Sequence, residues 1–373
     1  MLRVQKIIDN VIEMSKQDSQ VAILKGKRLS TLELSGGAFE RGQVYGARFK
    51  PLTARIVEEL WYKGFEGKVS KDQLIRHAKR YAPFIEDYSA EIAEELRGIA
   101  DGSGRSYEEI VMVNADEEKK AFGGNLCTAF AATGSATKDG RTYLGQNWDT
   151  PESLWWDGEF GQLITVKRKE GVNILDYTNP GILASAGVNS NGIGICWNTV
   201  PRLDLKIGVP TYIIVAEVLK QKTIGDALNA VIRAERAGCF NFVIADETEL
   251  YDIEATPTDI DIAYSDEYIA HANHFVSQKF YSKQKIPNDD IGMASTIVRQ
   301  NRMNTLIKQK LGHIGLEEGK EFLRDHVNYP AGICRHPNAG LSLDSWVISP
   351  ADREIWIAHG PPCQDEFRRY AFS

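Results

Sequence analysis

The chain has 373 residues, 43% of them hydrophobic and 25% charged, with a formal net charge of −7. That is enough to bury a sizeable core in one large domain or two ordinary ones, and the composition excludes a disordered chain. The acidic balance, with no basic cluster interleaved with aromatics, excludes nucleic acid as the expected partner.

The first twenty residues, MLRVQKIIDNVIEMSKQDSQ, mix acids and amides with apolar positions, unlike the unbroken apolar core of a signal peptide. No stretch approaches the roughly 18 uncharged apolar residues of a membrane span. The five cysteines, Cys127, Cys196, Cys239, Cys334 and Cys363, are odd in number, far apart in sequence and without a CxxC pair. They suggest neither a disulfide framework nor a zinc ribbon. The expectation is a cytoplasmic protein with reduced thiols, no metal and no cofactor.

Up to Cys127 the pattern is mostly helical, after a short strand around Leu32 to Leu34. Asp72 to Tyr81 reads as one helix ended near Pro83, and Tyr88, Ile92, Leu96, Ile99 and Ala100 fall at helical spacing on a second. Asp101-Gly-Ser-Gly stops it, and Ser106 with Glu109 forms a capping box that opens a third helix. Glu117, Glu118, Lys119 and Lys120 are expected on the exposed face of that helix.

From Cys127 onward the texture becomes short strands: Cys127 to Ala136, Arg141 to Gln146, Gln162 to Lys167, Ile193 to Trp197, Phe240 to Ala245 and Leu250 to Glu254. Asp139-Gly140 and Glu170-Gly171 mark hairpin turns, so the expected sheet is antiparallel. A helical pair follows, Tyr212 to Lys220 and Ile224 to Glu235, the second opened by Thr223 with Asp226 three residues on. A strand around Tyr268 to Ala272, a helix around Ser295 to Leu311 and a hairpin of Ser345 to Ile348 with Glu354 to Ala358 complete the chain. Helices flank sheets instead of alternating with each strand, which argues for α+β layers with no linker between independent domains.

A cysteine in an apolar strand is ordinarily a small core hydrophobe. If the hairpin closes at Lys138-Asp139-Gly140, however, Gln146 to Asp149 return beside Cys127, and a carboxylate, two amides and a thiol share one end of a sheet. Here the residues resemble a known family. "CTAF" with "GRTYLGQNWDT" is similar to the start of the nucleophile-bearing subunit in N-terminal nucleophile hydrolases, and specifically in the acyl-coenzyme A:6-aminopenicillanic acid acyltransferase family, relatives of the choloylglycine hydrolases. "SGGAFERGQVYG" at 35 to 46, "AGVNSNGIGICWNT" at 186 to 199, "NFVIADETELYDIEATP" at 241 to 257, "HANHF" at 271 to 275, "STIVRQNR" at 295 to 302 and "ICRHP" at 333 to 337 follow in the family's order. Each is weak alone; together they cover most of the chain from about residue 30.

The resemblance implies a four-layer αββα sandwich and an inactive precursor that cuts itself between Leu126 and Cys127. Residues 1–126 would stay as the small subunit and residues 127–373 would form the large one. The freed α-amino group, with an ordinary pKa of about 7.7 to 8.0, would then serve as base for a thiol of about 8.5. Thiolate attack would give an acyl-enzyme, released to water or to an amine. By the same resemblance Asp149 would accept a hydrogen bond from the α-ammonium, Asn273 would donate to the oxyanion with Asn198 as a second donor, and Arg299 would brace the site. Arg302, three residues on, could hold the same place. Two departures stand out: Gln146 replaces an arginine of the choloylglycine branch, and Leu126 replaces the glycine that often precedes the nucleophile.

The leading expectation is thus a self-processing cysteine amidohydrolase acting on a small N-acyl compound, with Trp155 and Trp156 as candidate pocket walls. Acyl transfer from a coenzyme A thioester or N-acyl donor to an amine such as a β-lactam nucleus is the alternative, and an uncleaved small-molecule-binding relative is a third reading. A homo-oligomer is left open. His271 with His274, and Cys334-Arg335-His336, are set aside as structural, since neither has a third metal ligand or a nucleophile-elbow context nearby.

Overall fold

The computed structural model describes residues 28–119, 127–150, 158–204, 206–284, 291–336 and 340–372. Fourteen strands among them form two sheets: β1 Ser30–Ser35, β2 Thr128–Gly134, β3 Gly140–Thr150, β4 Gln162–Lys167, β5 Ile174–Thr178, β6 Ala186–Asn189, β7 Gly194–Thr199, β8 Phe240–Ala245, β9 Leu250–Ala255, β10 Ile260–Ser265, β11 Tyr268–His271, β12 Leu341–Ser349, β13 Glu354–His359 and β14 Arg368–Ala371. One sheet has the order β1-β4-β5-β6-β7-β8-β9-β10 and the other β11-β2-β3-β12-β13-β14. Strands β2 and β3 lie against β7, β8 and β9, so the two sheets face each other.

Helices Ala38–Arg48, Thr211–Leu219 and Ile224–Arg233 pack on the eight-stranded sheet, and Ile291–Gln309 and Leu316–Leu323 on the six-stranded one. This is the four-layer αββα arrangement, and it buries both faces of the central strands. Residues 174–178 and 186–189 are buried at every position. Strands without polar alternation carry no period-2 signal, and β5 and β6 are absent from the sequence expectation for that reason.

The antiparallel expectation holds with one exception. β1 pairs in parallel with β4, Ser30 opposite Gln162, a long-range pairing that brings the leader segment into the same sheet as strands from beyond Cys127. Local signals do hold at the helix starts. Glu109 N donates to Ser106 Oγ at 3.1 Å and Ser106 N to Glu109 Oε2 at 2.8 Å, while Asp226 N donates to Thr223 Oγ1 at 3.1 Å. Pro83 sits in the first turn of a further helix, Ala82–Tyr88, where its missing N–H costs nothing.

The segment resembling the family's early helix is helix Ala38–Arg48, packed face to face on Ala90–Ser103. The approach is close enough to require glycine: a Cβ at Gly98 would lie 2.1 Å from the Phe39 carbonyl, and one at Gly42 2.0 Å from that of Glu95. Arg41 locks the same pair through Glu91 and Glu95, the latter at 2.6 Å.

One expectation is overturned. Glu117 and Glu118 are buried, not solvated, because they meet the N-terminus of helix Thr211–Leu219. Glu118 Oε1 accepts the Thr211 N–H at 2.7 Å and Glu117 Oε1 the Tyr212 hydroxyl at 3.1 Å. The unpaired N–H groups of a helix start favour carboxylates. Burial nevertheless pushes the Glu118 carboxyl up to about 8, against the Thr211 hydrogen bond and with the neighbouring Glu117 and Asp116 adding to the rise.

Candidate active site

Cys127 stands at the head of β2. The β2–β3 register sets Thr128 opposite Asn147, so the hairpin does return Gln146 to Asp149 beside the cysteine. On the other flank β11 pairs with β2, His271 opposite Ala129, and the chain leaving β11 brings Asn273 to the same end. β12 completes the group by setting Ser342 opposite Asp149.

The thiol is buried. Burial and the Asp149 charge push it up to about 12, opposed by hydrogen bonds from the Asp149 backbone and the Gln146 side chain. Gln146 is itself fixed on β7, its Nε2 donating to Trp197 O at 2.5 Å and its Oε1 accepting from Trp197 N at 3.2 Å. A neutral amide where an arginine would add charge leaves this thiol with little electrostatic help.

Two buried arginines brace the site from helix Ile291–Gln309 and the loop before β12. Arg299 donates to the Cys127 carbonyl, to Thr128 Oγ1 at 2.6 Å, to Asn273 Oδ1 at 2.9 Å and to Ser295 Oγ at 3.2 Å. Burial, then the nearby Arg335, lower it to about 9, so it stays cationic at neutral pH. Arg335 reaches the same Ser295 hydroxyl and places Nε 3.5 Å from Asp149 Oδ2. Arg302 instead pairs with Asp325 at 2.6 Å and takes no part in the cluster. The two candidates on one helix are thereby separated.

Asp149 accepts the Ser342 hydroxyl at 2.6 Å on Oδ1. Its buried Oδ2 accepts no hydrogen bond from any described residue. Burial raises this carboxyl to about 6, despite the opposing charges of Arg335 and Arg299. Its contribution to stability is therefore greatest at low pH and is lost as pH rises through about 6. In a Cys127→Ala background, Asp149→Asn is expected to gain stability over its parent as pH goes from 4 to 7, approaching about 3 kcal/mol for a shift of roughly two pKa units. Urea unfolding across that range measures it, and a pH-independent difference would contradict the assignment.

The two candidate oxyanion donors lie on either side of the junction between the sheets. Asn273 Nδ2 donates to Thr199 O at 2.9 Å and to Thr199 Oγ1 at 3.2 Å, and its backbone N–H to Thr296 Oγ1 at 2.6 Å. Asn198 donates to Asn241 Oδ1 at 2.9 Å, directly across the β7–β8 pair. Both amides are therefore already engaged. Leu126, Trp155 and Trp156 lie outside the described residues.

Against Cys127 the described residues enclose a cavity of about 10 Å³, near the smallest that holds one water. Its walls include Trp148, Tyr177, Trp197, Tyr212 and Trp346, aromatics that the sequence reading did not single out. Their polar ends are satisfied elsewhere, Trp197 Nε1 on Ser185 O at 2.6 Å and Tyr177 OH on Asp344 Oδ2 at 2.5 Å. Apolar ring surface is what remains for the cavity.

His271 and His274 are buried and occupied, on Glu254 Oε1 at 2.8 Å and Thr296 Oγ1 at 3.0 Å. The segment Cys334-Arg335-His336, expected to be structural, has neighbours the sequence did not show: Arg335 lies beside Asp149, and Cys334 and His336 meet His326 and Cys363, with all four ligand-capable atoms within 4.8 Å of one another. Sequence reasoning missed these residues, along with Ser295 and Ser342, although "STIVRQNR" and "ICRHP" had flagged two of the segments. Nothing local in the sequence says that positions 326, 334, 336 and 363 converge.

Fold and site together define an αββα sandwich with a buried cysteine at the head of a central strand, braced by two arginines and a carboxylate. The chain belongs to the acyl-coenzyme A:6-aminopenicillanic acid acyl-transferase family, whose model matches residues 135–364. It is 26% identical over 265 residues, 69% of this chain and 70% of the relative, to the acyl-coenzyme A:6-aminopenicillanic-acid-acyltransferase 40 kDa form of Emericella nidulans. A penicillin V acylase from Agrobacterium tumefaciens superposes with a TM-score of 0.40 at 8% identity, over 62% of this chain and 83% of that one; a likeness at that score carries no weight here. Membership supports an enzyme of acyl transfer. The matched stretch begins after Cys127 and does not include it. No helix among the described residues is long and apolar enough to cross a membrane.

Proposed function

We propose that the protein is a cysteine N-terminal nucleophile enzyme that cuts itself before Cys127 and then acts on the amide bond of a small N-acyl compound. The observation that carries this reading is the buried Asp149 Oδ2, which accepts no hydrogen bond from the described residues at the end of the hairpin that holds Cys127. Its charged neighbour there, Arg335 Nε, stands off at 3.5 Å, and a buried carboxylate oxygen that accepts no hydrogen bond is costly. A free α-ammonium at residue 127 would supply that donor and hold the carboxyl ionised.

In the first step the Cys127 thiolate attacks the carbonyl of residue 126. The peptide bond breaks as a thioester forms, and water then hydrolyses the thioester to a carboxyl at residue 126 and a free amine at residue 127. The thiol's raised pKa makes this step slow in the unprocessed chain, because few thiolates are present at neutral pH. Once freed, the α-amine takes the thiol proton and later returns it to the departing amine, while the substrate acyl group passes to sulfur.

Arg299 keeps Cys127 in register through its carbonyl and orients Asn273 through Oδ1. The Asn273 amide hydrogens now spent on Thr199 are the ones an oxyanion would take up, with Asn198 as the second donor. One such donor is worth about 2.7 to 4 kcal/mol in the transition state.

Hydrolysis and acyl transfer share the acyl-enzyme and differ in what resolves it. The family name favours acyl transfer to an amine as the second reading, and the aromatic walls around Cys127 offer an apolar surface to an acyl group. The test is a panel of N-acyl amino acids, acylated amines, penicillins and acyl-coenzyme A thioesters, each assayed with and without added amine nucleophile. Free acid that is insensitive to added amine assigns a hydrolase, and a dominant new amide assigns a transferase. Turnover of none of these classes by the processed protein would overturn both.

A further inference from the structure

We propose that His326, Cys334, His336 and Cys363 form a structural zinc site that clamps the loop carrying Arg335. Their ligand atoms come from two loops, residues 324–340 before β12 and residues 360–367 between β13 and β14, and lie within 4.8 Å of one another. Zinc bonds of about 2.3 Å to sulfur and about 2.0 to 2.1 Å to nitrogen give tetrahedral edges of about 3.8 Å for S–S, about 3.5 Å for S–N and about 3.3 Å for N–N. The structure has Cys334 Sγ to Cys363 Sγ at 3.7 Å, Cys363 Sγ to His336 Nε2 at 3.5 Å, Cys334 Sγ to His336 Nε2 at 4.0 Å and His326 Nε2 to His336 Nε2 at 3.1 Å. These four separations come close to the edges of a zinc tetrahedron, and all four atoms lie within 4.8 Å of one another.

The donor set points to the metal. Two thiolates and two imidazoles without a carboxylate suit zinc and disfavour calcium or magnesium. Binding releases two thiol protons to solvent and leaves a neutral centre, which fits a group whose Cys334 is buried. Four protein ligands close the coordination sphere, so the site is structural and not catalytic.

Its purpose follows from the chain between the ligands. Arg335 lies between Cys334 and His336, and its guanidinium reaches Ser295 and Asp149. A metal held on both sides of that residue fixes where the arginine enters the cluster. The two loops already touch beside the site, Arg324 Nε donating to Pro362 O at 2.9 Å, and within the first loop Cys334 N donates to Asp325 O at 2.9 Å. This proposal stands whether or not Cys127 is the nucleophile.

The test is the metal content of the full chain, purified without an affinity tag and dialysed, by plasma mass spectrometry. About one zinc per chain is expected, lost in Cys334→Ser with Cys363→Ser, together with a lower melting temperature of the wild type after chelation. Because the double variant removes two of the four ligands that clamp the loops, the wild type is also loaded with cobalt, which should show the intense visible bands of a tetrahedral centre and sulfur-to-cobalt charge transfer. Less than about a tenth of an equivalent of metal with no such bands would overturn the proposal. So would a Cys334–Cys363 disulfide in the purified protein, or zinc retained in full by the folded double variant.

Discussion

Cys127→Ala is expected to give a single uncut chain of 373 residues with activity lower by about 10⁴-fold or more, the scale seen when a covalent nucleophile is removed. Both losses have one origin. In the proposed mechanism the same sulfur attacks the carbonyl of residue 126 during maturation and the substrate carbonyl afterwards, so no other group inherits either task. The methyl of alanine fits the buried site at the head of β2 without disturbing the Arg299 contact to the backbone carbonyl, and the variant should fold. Gel mobility, intact mass and turnover measure the outcome. Two fragments divided at position 127 would show that another group, or another protein, performs the cut.

Arg299→Ala carries the second large effect. Arg299 is fully buried, and its removal strands the Cys127 carbonyl, the Thr128 hydroxyl and Asn273 Oδ1 at once. It also leaves Asp149 with Arg335 as its remaining neighbouring guanidinium. Breaking a buried charged network by removing one partner costs about 3 to 5 kcal/mol, and both maturation and turnover should fail with it. Arg299→Lys keeps the charge and loses the fork, so it should recover part of the stability and little of the cleavage. Arg302→Ala is the control, since its partly exposed pair with Asp325 is worth about 1 kcal/mol or less. Denaturant unfolding and a cleavage time course on the three variants separate these outcomes. Equal effects for Arg299→Ala and Arg302→Ala would contradict the assignment of the brace.

The parts legible in the sequence are those written locally. Capping at Ser106 and Thr223 depends on neighbours three residues apart, and the Cys127 hairpin depends on one turn. The pairing of β1 with β4 and the burial of Glu117 and Glu118 depend on segments about a hundred residues distant, and local patterning is silent there. β5 and β6 were hidden because a sandwich interior wets neither face of a strand. The site divides in the same way: Cys127, Asp149, Asn273 and Arg299 stand out in segments that resemble the family, whereas Ser295 lies in one of those segments without being singled out and Ser342 is a serine with no distinguishing context. Arg335 was passed over because Cys334 and His336 beside it had no visible partners. Those partners are His326, eight residues upstream in the same loop, and Cys363 in the loop between β13 and β14, which only the folded chain brings together.

Intact-mass measurement with N-terminal sequencing of the purified wild-type protein tests the central claim most directly. The account predicts two tightly associated chains, the larger running from Cys127 to Ser373 with cysteine as its first residue. An intact chain that still turns over substrate, or a large fragment beginning at any residue other than Cys127, would contradict it.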